Sequence, residues 1–105
     1  SKEQSRNAAA LALKSAMGLV CDPVGGLVEV PCIKRNANLS SIAITSANMA
    51  LAGIKSVIPF DEVINAMKMV GRDMPYSLKE TSQGGIAATK TAKKIACELF
   101  RNKEI

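Results

Sequence analysis

The segment from residue 21 to residue 32 places two cysteines at the ends of a run that no regular helix can accommodate. It reads Cys-Asp-Pro-Val-Gly-Gly-Leu-Val-Glu-Val-Pro-Cys. Proline fixes φ and removes a backbone donor, whereas glycine frees the backbone, so together they interrupt helical sequence. We therefore predict a shaped loop that directs the thiols of Cys21 and Cys32 toward one point.

The remaining composition favours helices that pack closely through small side chains. Apolar residues make up 48% of the 105 residues and aromatic residues only 3%, and alanine is abundant. A chain of this length supports one core. We predict an all-α fold, a compact helical domain over residues 1–105 with the Gly/Pro-rich cysteine loop between its first two long helices. Because the chain opens directly in helical sequence, we expect it to be part of a larger domain.

Apolar periodicity and stop signals predict four helices, over residues 5–17, 31–52, 59–70 and 89–101. The second helix is either continuous or broken near Asn38. Residues 71–76 are predicted to form a turn, residues 77–81 a short helical turn and residues 82–85 a flexible elbow. The third and fourth helices are expected to bury Val63, Ile64, Met67 and Val70, and Ala92, Ile95, Ala96, Leu99 and Phe100, respectively.

Charge and residue content exclude several classes of function. The net charge of +5 comes from scattered basic residues, and so few aromatic residues accompany them that a nucleic-acid partner is not expected. The chain has no histidine, which excludes a Ser-His-Asp triad and histidine-bound metals within it. Three cysteines without a signal peptide predict a reducing cytoplasm. No stretch is long and apolar enough to predict a membrane segment.

The spacing of the first two cysteines leaves their role open. Ten residues separate Cys21 from Cys32, whereas zinc sites usually pair cysteines two to four residues apart. Two buried structural thiols and two ligands of an iron–sulfur cluster both remain consistent with this spacing. Cys32 is expected at a helix N-terminus, where the helix dipole favours a thiolate or a bound anion.

Two stretches resemble the alpha, catalytic region of the iron–sulfur-dependent L-serine dehydratases. They are residues 18–37, Gly-Leu-Val-Cys-Asp-Pro-Val-Gly-Gly-Leu-Val-Glu-Val-Pro-Cys-Ile-Lys-Arg-Asn-Ala, and residues 80–89, Glu-Thr-Ser-Gln-Gly-Gly-Ile-Ala-Ala-Thr. Residues 6–9 and 69–74 also resemble that family. The resemblance implies an all-helical catalytic domain, of which this chain is the C-terminal part. Such a domain holds a 4Fe-4S cluster and converts L-serine to pyruvate and ammonia, a reaction of gluconeogenesis.

The same resemblance implies roles for the cysteines. Cys21 and Cys32 match two of the family's cluster cysteines, and the third lies upstream of the region present, so this chain alone is expected to be inactive. Cys97 is the candidate that fills the gap, although its apolar neighbours favour an ordinary core or half-buried thiol. In a cluster held by three cysteine ligands, one iron has no protein ligand and is available to polarise the serine hydroxyl. The general base is not identifiable in this chain.

Nine residues are candidates for substrate binding, each with a simpler structural alternative. Each of the two cations after Cys32 either pairs with the serine carboxylate or faces solvent. Each of the two asparagines that follow either donates a hydrogen bond to the cluster or substrate, or caps a helix. The residues before the elbow orient the ammonium or hydroxyl group, and its glycines let backbone approach a ligand or merely form a loop. The candidates are Lys34, Arg35, Asn36, Asn38, Glu80, Thr81, Ser82, Gly84 and Gly85.

The expected partners follow from the resemblance. They are L-serine, the upstream catalytic region, a regulatory (beta) domain or subunit, and further copies of the chain in a homo-oligomer; neither nucleic acid nor a membrane is expected. The alternative is a non-catalytic helical module that carries thiols and binds a partner chain through exposed apolar faces.

Overall fold

The structure, a computed structural model, describes residues 1–27 and 30–103. In this part of the chain it contains only helices and irregular segments, with isolated bridges Cys21–Lys79 and Val24–Leu27 in place of strands. The predicted all-α fold is therefore confirmed. The helices are α1 (Lys2–Lys14), α2 (Val30–Leu51), α3 (Phe60–Asp73) and α4 (Lys90–Lys103), with two 3-10 helices, Tyr76–Leu78 and Gly85–Ala88.

Helix ends differ from the predicted ones for local reasons. α1 begins earlier because Ser1 and Gln4 form a capping box, in which the Ser1 hydroxyl accepts from the Gln4 amide at 3.2 Å. α2 is a single helix and has no break at Asn38. α3 continues through Gly71 to Asp73, so the predicted turn at residues 71–73 is wrong, because glycine near a helix end lowers helical stability without ending the helix.

Packing divides the chain into two compact units. The first unit comprises Ser1–Leu19 and Lys34–Asp73, and the second comprises Val20–Ile33 and Met74–Ile105. The prediction of a single helical domain within a larger catalytic domain stays a prediction. Each unit is described separately below.

In the first unit, α1 packs against α3 and the core consists of small side chains. Ala10 of α1, Ala50 of α2 and Val63 of α3 are buried. Of the four residues predicted to face inward from α3, Ile64 and Val70 are exposed instead. One face of α3 therefore meets too little protein in this unit to bury its whole apolar stripe.

A single polar side chain ties the connector after α2 to α1. Asn7 donates from Nδ2 to the Ile54 carbonyl at 2.6 Å, and its Oδ1 accepts from the Ser56 amide. One side chain thus satisfies two backbone groups of a connector that lies outside the helices. Nearby, Arg6 and Asp61 form an exposed ion pair at 3.2 Å.

In the second unit, α4 packs against the 3-10 helix Gly85–Ala88. The buried apolar residues among those described here include Pro23, Val24, Ala87 and Ala92. The predicted inward face of α4 is only partly correct, because Ile95 and Phe100 are exposed.

No helix in the described residues is long and apolar enough to span a membrane.

Candidate functional site

The described part of the cysteine loop, residues 21–27, contacts the segment around the predicted elbow; residues 80–85 are called the elbow from here on. The Cys21 amide donates to the Leu78 carbonyl at 3.0 Å, and the Cys21 carbonyl accepts from the Glu80 amide. Cys21 and Lys79 consequently form a parallel bridge. Both backbone groups of Cys21 are therefore held, and the part of the first family-like stretch that belongs to the second unit meets the second stretch there.

Asp22 anchors the loop to the residue that follows the elbow. The residue is buried, with only 8% of its surface exposed, and its Oδ2 accepts from the Ile86 amide. Gly85 lies directly beneath this carboxylate with φ of +59°, and a Cβ at that position would collide with the Asp22 carboxylate. Gly85 therefore meets two requirements that any other residue fails, a left-handed backbone and an empty side-chain position.

Asp22 was not among the residues predicted for the site. The sequence shows an aspartate before Pro23 but gives no sign that its partner lies 64 residues later. What chemistry does predict is that a carboxylate, once buried, needs a hydrogen-bond donor.

A second contact joins the loop and the elbow through a hydroxyl group. The Gly26 amide donates to Ser82 Oγ at 3.2 Å. On the other side of the loop, a Cβ at Gly25 would lie 3.4 Å from Leu99 Cδ1 of α4. The two glycines thus shape the loop so that it fits between the elbow and α4.

The elbow holds two side-chain-bearing residues in a conformation that normally favours glycine. Glu80 has φ of 61° and Ser82 has φ of 57°. The left-handed region costs a non-glycine residue roughly 1–2 kcal/mol, and such residues concentrate at functional sites. Thr81, between them, donates from Oγ1 to the Tyr76 carbonyl at 3.0 Å. This hydrogen bond therefore ties the elbow to the Tyr76 carbonyl.

The glycines of the elbow are approached by the protein itself. A Cβ on Gly84 would lie 2.9 Å from the Ser77 carbonyl oxygen, and the space at Gly85 is taken by Asp22. These close approaches account for both glycines within the described chain. Contact of their backbone with a ligand stays a prediction.

The three cysteines differ in exposure, and none forms a disulfide. Cys21 and Cys32 are partly exposed, and Cys32 lies in the first turn of α2 as predicted. Cys97 is exposed, so the expectation of a core or half-buried thiol is wrong. α4 packs along one narrow face, which leaves Cys97 open although its neighbours are apolar.

The donor set within the described residues is incomplete for a metal centre. No group of three His, Cys, Asp or Glu side chains in residues 1–27 and 30–103 is arranged to hold a metal ion. The two thiols of the cysteine loop are the chemical type that binds iron–sulfur clusters. This part of the chain thus offers two ligands of the right type and lacks a complete site.

The four substrate candidates on α2 belong to the first unit. Arg35 is half-buried, while Lys34, Asn36 and Asn38 are exposed. The Asn36 carbonyl accepts from Ser40 Oγ at 2.9 Å, a bond within the helix. No hydrogen bond of the Asn38 side chain is found among the described residues, so the capping alternative has no support for Asn38.

A cavity of about 870 Å³ opens in the second unit between the loop, the elbow and α4. The α4 residues lining it include Lys93, Cys97 and Arg101, which follow one another at intervals of four and share one helix face. The described lining contains two basic side chains and no carboxylate. Lys93 and Arg101 therefore line the same cavity, and their positive charge is suited to binding an anion.

The cysteine loop and the elbow both lie within a region that matches a known family. The family model described as serine dehydratase alpha chain matches residues 1–87. The chain belongs to the serine dehydratase alpha chain family. The match covers residues 18–37 entirely and residues 80–87 of the second motif, and it ends before α4. Lys93, Cys97 and Arg101 lie outside the residues that the family model matches.

Relatives agree with this assignment. The chain is 58% identical over 98 residues to "Probable L-serine dehydratase, alpha chain" of Bacillus subtilis, covering 93% of this chain and 33% of that protein. It is 50% identical over 99 residues to "L-serine dehydratase, alpha chain" of Peptoniphilus asaccharolyticus, covering 94% and 34%. It is 48% identical over 88 residues to "L-serine dehydratase" of Streptomyces coelicolor, covering 83% and 19%.

The chain spans about a third of the length of the alpha-chain relatives from Bacillus subtilis and Peptoniphilus asaccharolyticus. No solved structure matches it.

Proposed function

We propose that this chain forms part of an L-serine dehydratase, which converts L-serine to pyruvate and ammonia. The observation that carries the proposal is the contact between the two family motifs, in which Cys21 and Asp22 of the first motif bind the backbone of the second at Glu80 and Ile86. Membership of the serine dehydratase alpha chain family supports the same reaction. Because the chain spans a third of its alpha-chain relatives, we propose that it supplies one part of the active site and is inactive alone.

We further propose that Cys21 and Cys32 are two ligands of a 4Fe-4S cluster. Thiolates hold such clusters. The amide and the carbonyl of Cys21 are both held by hydrogen bonds, and Cys32 lies in the first turn of α2. The remaining cysteine ligand comes from alpha-chain sequence upstream of the matched region. When bound, the cluster supplies a Lewis acid that polarises the substrate hydroxyl.

In this proposal the elbow acts mainly by positioning the cysteine loop. The hydroxyls of Thr81 and Ser82 are engaged with the Tyr76 carbonyl and the Gly26 amide, and Gly85 makes room for Asp22. Glu80 is exposed and carries the charge opposite to that of the substrate ammonium. We therefore assign Thr81, Ser82, Gly84 and Gly85 to positioning, and keep Glu80 as the elbow's candidate for substrate contact.

The substrate carboxylate requires a cation. Lys34 and Arg35 follow Cys32 closely in sequence and are our candidates for this role. Their neighbours Asn36 and Asn38 are candidates for hydrogen bonds to the cluster or the substrate. Replacement of Lys34 by methionine tests whether this residue binds the substrate carboxylate. Loss of that ion pair is expected to raise KM for L-serine more than it lowers kcat.

The name "alpha chain" of the relatives indicates an enzyme with more than one kind of chain. We propose a regulatory beta domain or subunit and a homo-oligomeric, cytoplasmic enzyme, in keeping with the gluconeogenic role expected from the sequence. Co-purification of the alpha and beta parts, followed by measurement of the molar mass of the complex, tests this assembly.

The function is tested with a chimeric alpha chain, in which this chain replaces the matched region of the Bacillus subtilis relative. The chimeric alpha chain, combined with the beta part, is expected to release pyruvate from L-serine, and Cys32→Ser is expected to abolish the release. Ser41→Ala, at an exposed position of α2, is the matched control and is expected to retain it. Unchanged pyruvate release by the Cys32→Ser protein would contradict the proposal.

A further inference from the structure

α2 is the longest helix of the structure, and most of it is uncovered. Of its described side chains, Ser46 and Ala50 are the ones that are buried. Among the described residues of the first unit, the most extensive helix contact is that of α1 with α3. From Asn36 to its end at Leu51, α2 also carries no charged residue. A helix that faces water on most sides normally carries charges there, so this composition is typical of a helix covered by other protein.

One face of α2 has the spacing of a helix–helix contact. Ile44 is 66% exposed and Leu51 is 68% exposed. They lie on a stripe whose members alternate three and four residues apart along the helix. We call this stripe the α2 seam; it consists of Ala37, Ser40, Ile44, Ala47 and Leu51. Isolated exposed aliphatic residues are ordinary, but an aligned, uncharged stripe of this length indicates an interaction surface.

The size of the seam's side chains specifies the kind of partner it fits. Alternation by three and four is the pattern of helices that pack at a crossing angle of about 20°, and small residues allow an interaxial distance near the lower end of about 8–10 Å. Ile44 and Leu51 supply the large side chains, and Ala37, Ser40 and Ala47 leave room for the partner's. A complementary surface is therefore a helix with uncharged, large aliphatic residues opposite the small ones.

We propose that the α2 seam is the docking surface for a helix of the alpha-chain sequence that relatives carry outside the matched region. The matched region makes up 33% and 34% of the Bacillus subtilis and Peptoniphilus asaccharolyticus proteins, so about two thirds of each lies outside it. That additional sequence is available in the same polypeptide, where it binds at high effective concentration.

Hydroxyl-radical footprinting of the unmodified sequence tests the proposal. Oxidation rates of Ile44 and Leu51 are compared between the 105-residue chain and the chimeric alpha chain. We expect both residues to be oxidised in the short chain and to be protected several-fold in the chimeric alpha chain at every protein concentration. Equal rates in the two proteins would overturn the proposal. Protection of the short chain that grows with its concentration would identify a second copy as the occupant and would also overturn it.

A pair of variants keeps the test independent of folding and of catalysis. Ile44→Glu places a charge in the seam, and Thr45→Glu places the same charge on an exposed position next to it. Both short-chain variants are expected to keep the helical circular dichroism of the parent. In the chimeric alpha chain, Ile44→Glu is expected to raise Leu51 oxidation toward the short-chain rate, whereas Thr45→Glu leaves it low. Equal behaviour of the two variants would contradict a specific seam.

Discussion

The two units of the chain are held together by different means. In the first unit, regular helices meet through small apolar residues such as Ala10 and Val63, and one asparagine secures the connector. In the second, the decisive contacts involve irregular backbone: Cys21 with Leu78 and Glu80, and Asp22 with Ile86. Among the described residues other than glycine, the two with a left-handed φ, Glu80 and Ser82, also belong to the second unit.

This difference indicates how the molecule divides its tasks. Helices bury apolar area and tolerate exchange of one small residue for another. The irregular contacts bury little apolar area, but each depends on one geometry, such as the fit of Asp22 over Gly85. The second unit is therefore expected to be the more sensitive to substitution, and the three stability predictions below test that contrast in decreasing order of effect.

The largest expected effect comes from Gly85→Ala in the second unit. Its left-handed φ and the collision with Asp22 together are expected to lower the free energy of unfolding by about 3 kcal/mol. Gly71→Ala is the matched control in the first unit, because Gly71 is helical and a Cβ there meets nothing within 4 Å. The control is expected to stabilise by about 0.5–1 kcal/mol. Equal effects in urea unfolding would show that the elbow is not constrained.

An intermediate effect is expected for Asn7→Ala in the first unit. The change removes two hydrogen bonds to the connector, at Ile54 and Ser56, and is expected to cost about 2 kcal/mol. Asn65→Ala, at an exposed position within α3, is the control and is expected to be neutral or slightly stabilising. Urea unfolding measures both. A cost for Asn7→Ala no larger than that of its control would mean that the connector is held by other contacts.

The smallest expected effect is that of Arg6→Gln. The Arg6–Asp61 pair is exposed, with 58% and 79% of the two side chains accessible, so its loss is expected to change the free energy of unfolding by less than about 1 kcal/mol. The effect should shrink further in high salt. A large, salt-independent loss would show that the first unit also depends on specific polar geometry, which would weaken the contrast between the units.

The helices could be predicted from the sequence because their signals are local. Alanine-rich and periodic segments predicted α1, α3 and α4, and Pro31 placed the start of α2 correctly. The errors have local causes too: α1 begins at a capping box, and α3 runs past Gly71.

The site could be predicted in its parts and not in its connections. The resemblance identified the cysteine loop and the elbow, but the hydrogen bond from the Ile86 amide to Asp22 joins residues 64 positions apart and leaves no local pattern. The prediction that Cys97 is at least half-buried was wrong for a related reason, because apolar neighbours predict burial only when another element covers that face. The uncovered faces of α2 and α4 show that such cover is limited in the described chain.

The iron content of the reconstituted chimeric alpha chain tests the central claim most directly, that Cys21 and Cys32 of the anchored loop hold a cluster. After anaerobic incubation with iron and sulfide, the parent is expected to bind about four irons per chain and to show iron–sulfur absorption. Cys21→Ser and Cys32→Ser are each expected to lose most of both signals, while Cys97→Ser retains them. Full iron content and an unchanged spectrum in the Cys21→Ser and Cys32→Ser proteins would contradict the account.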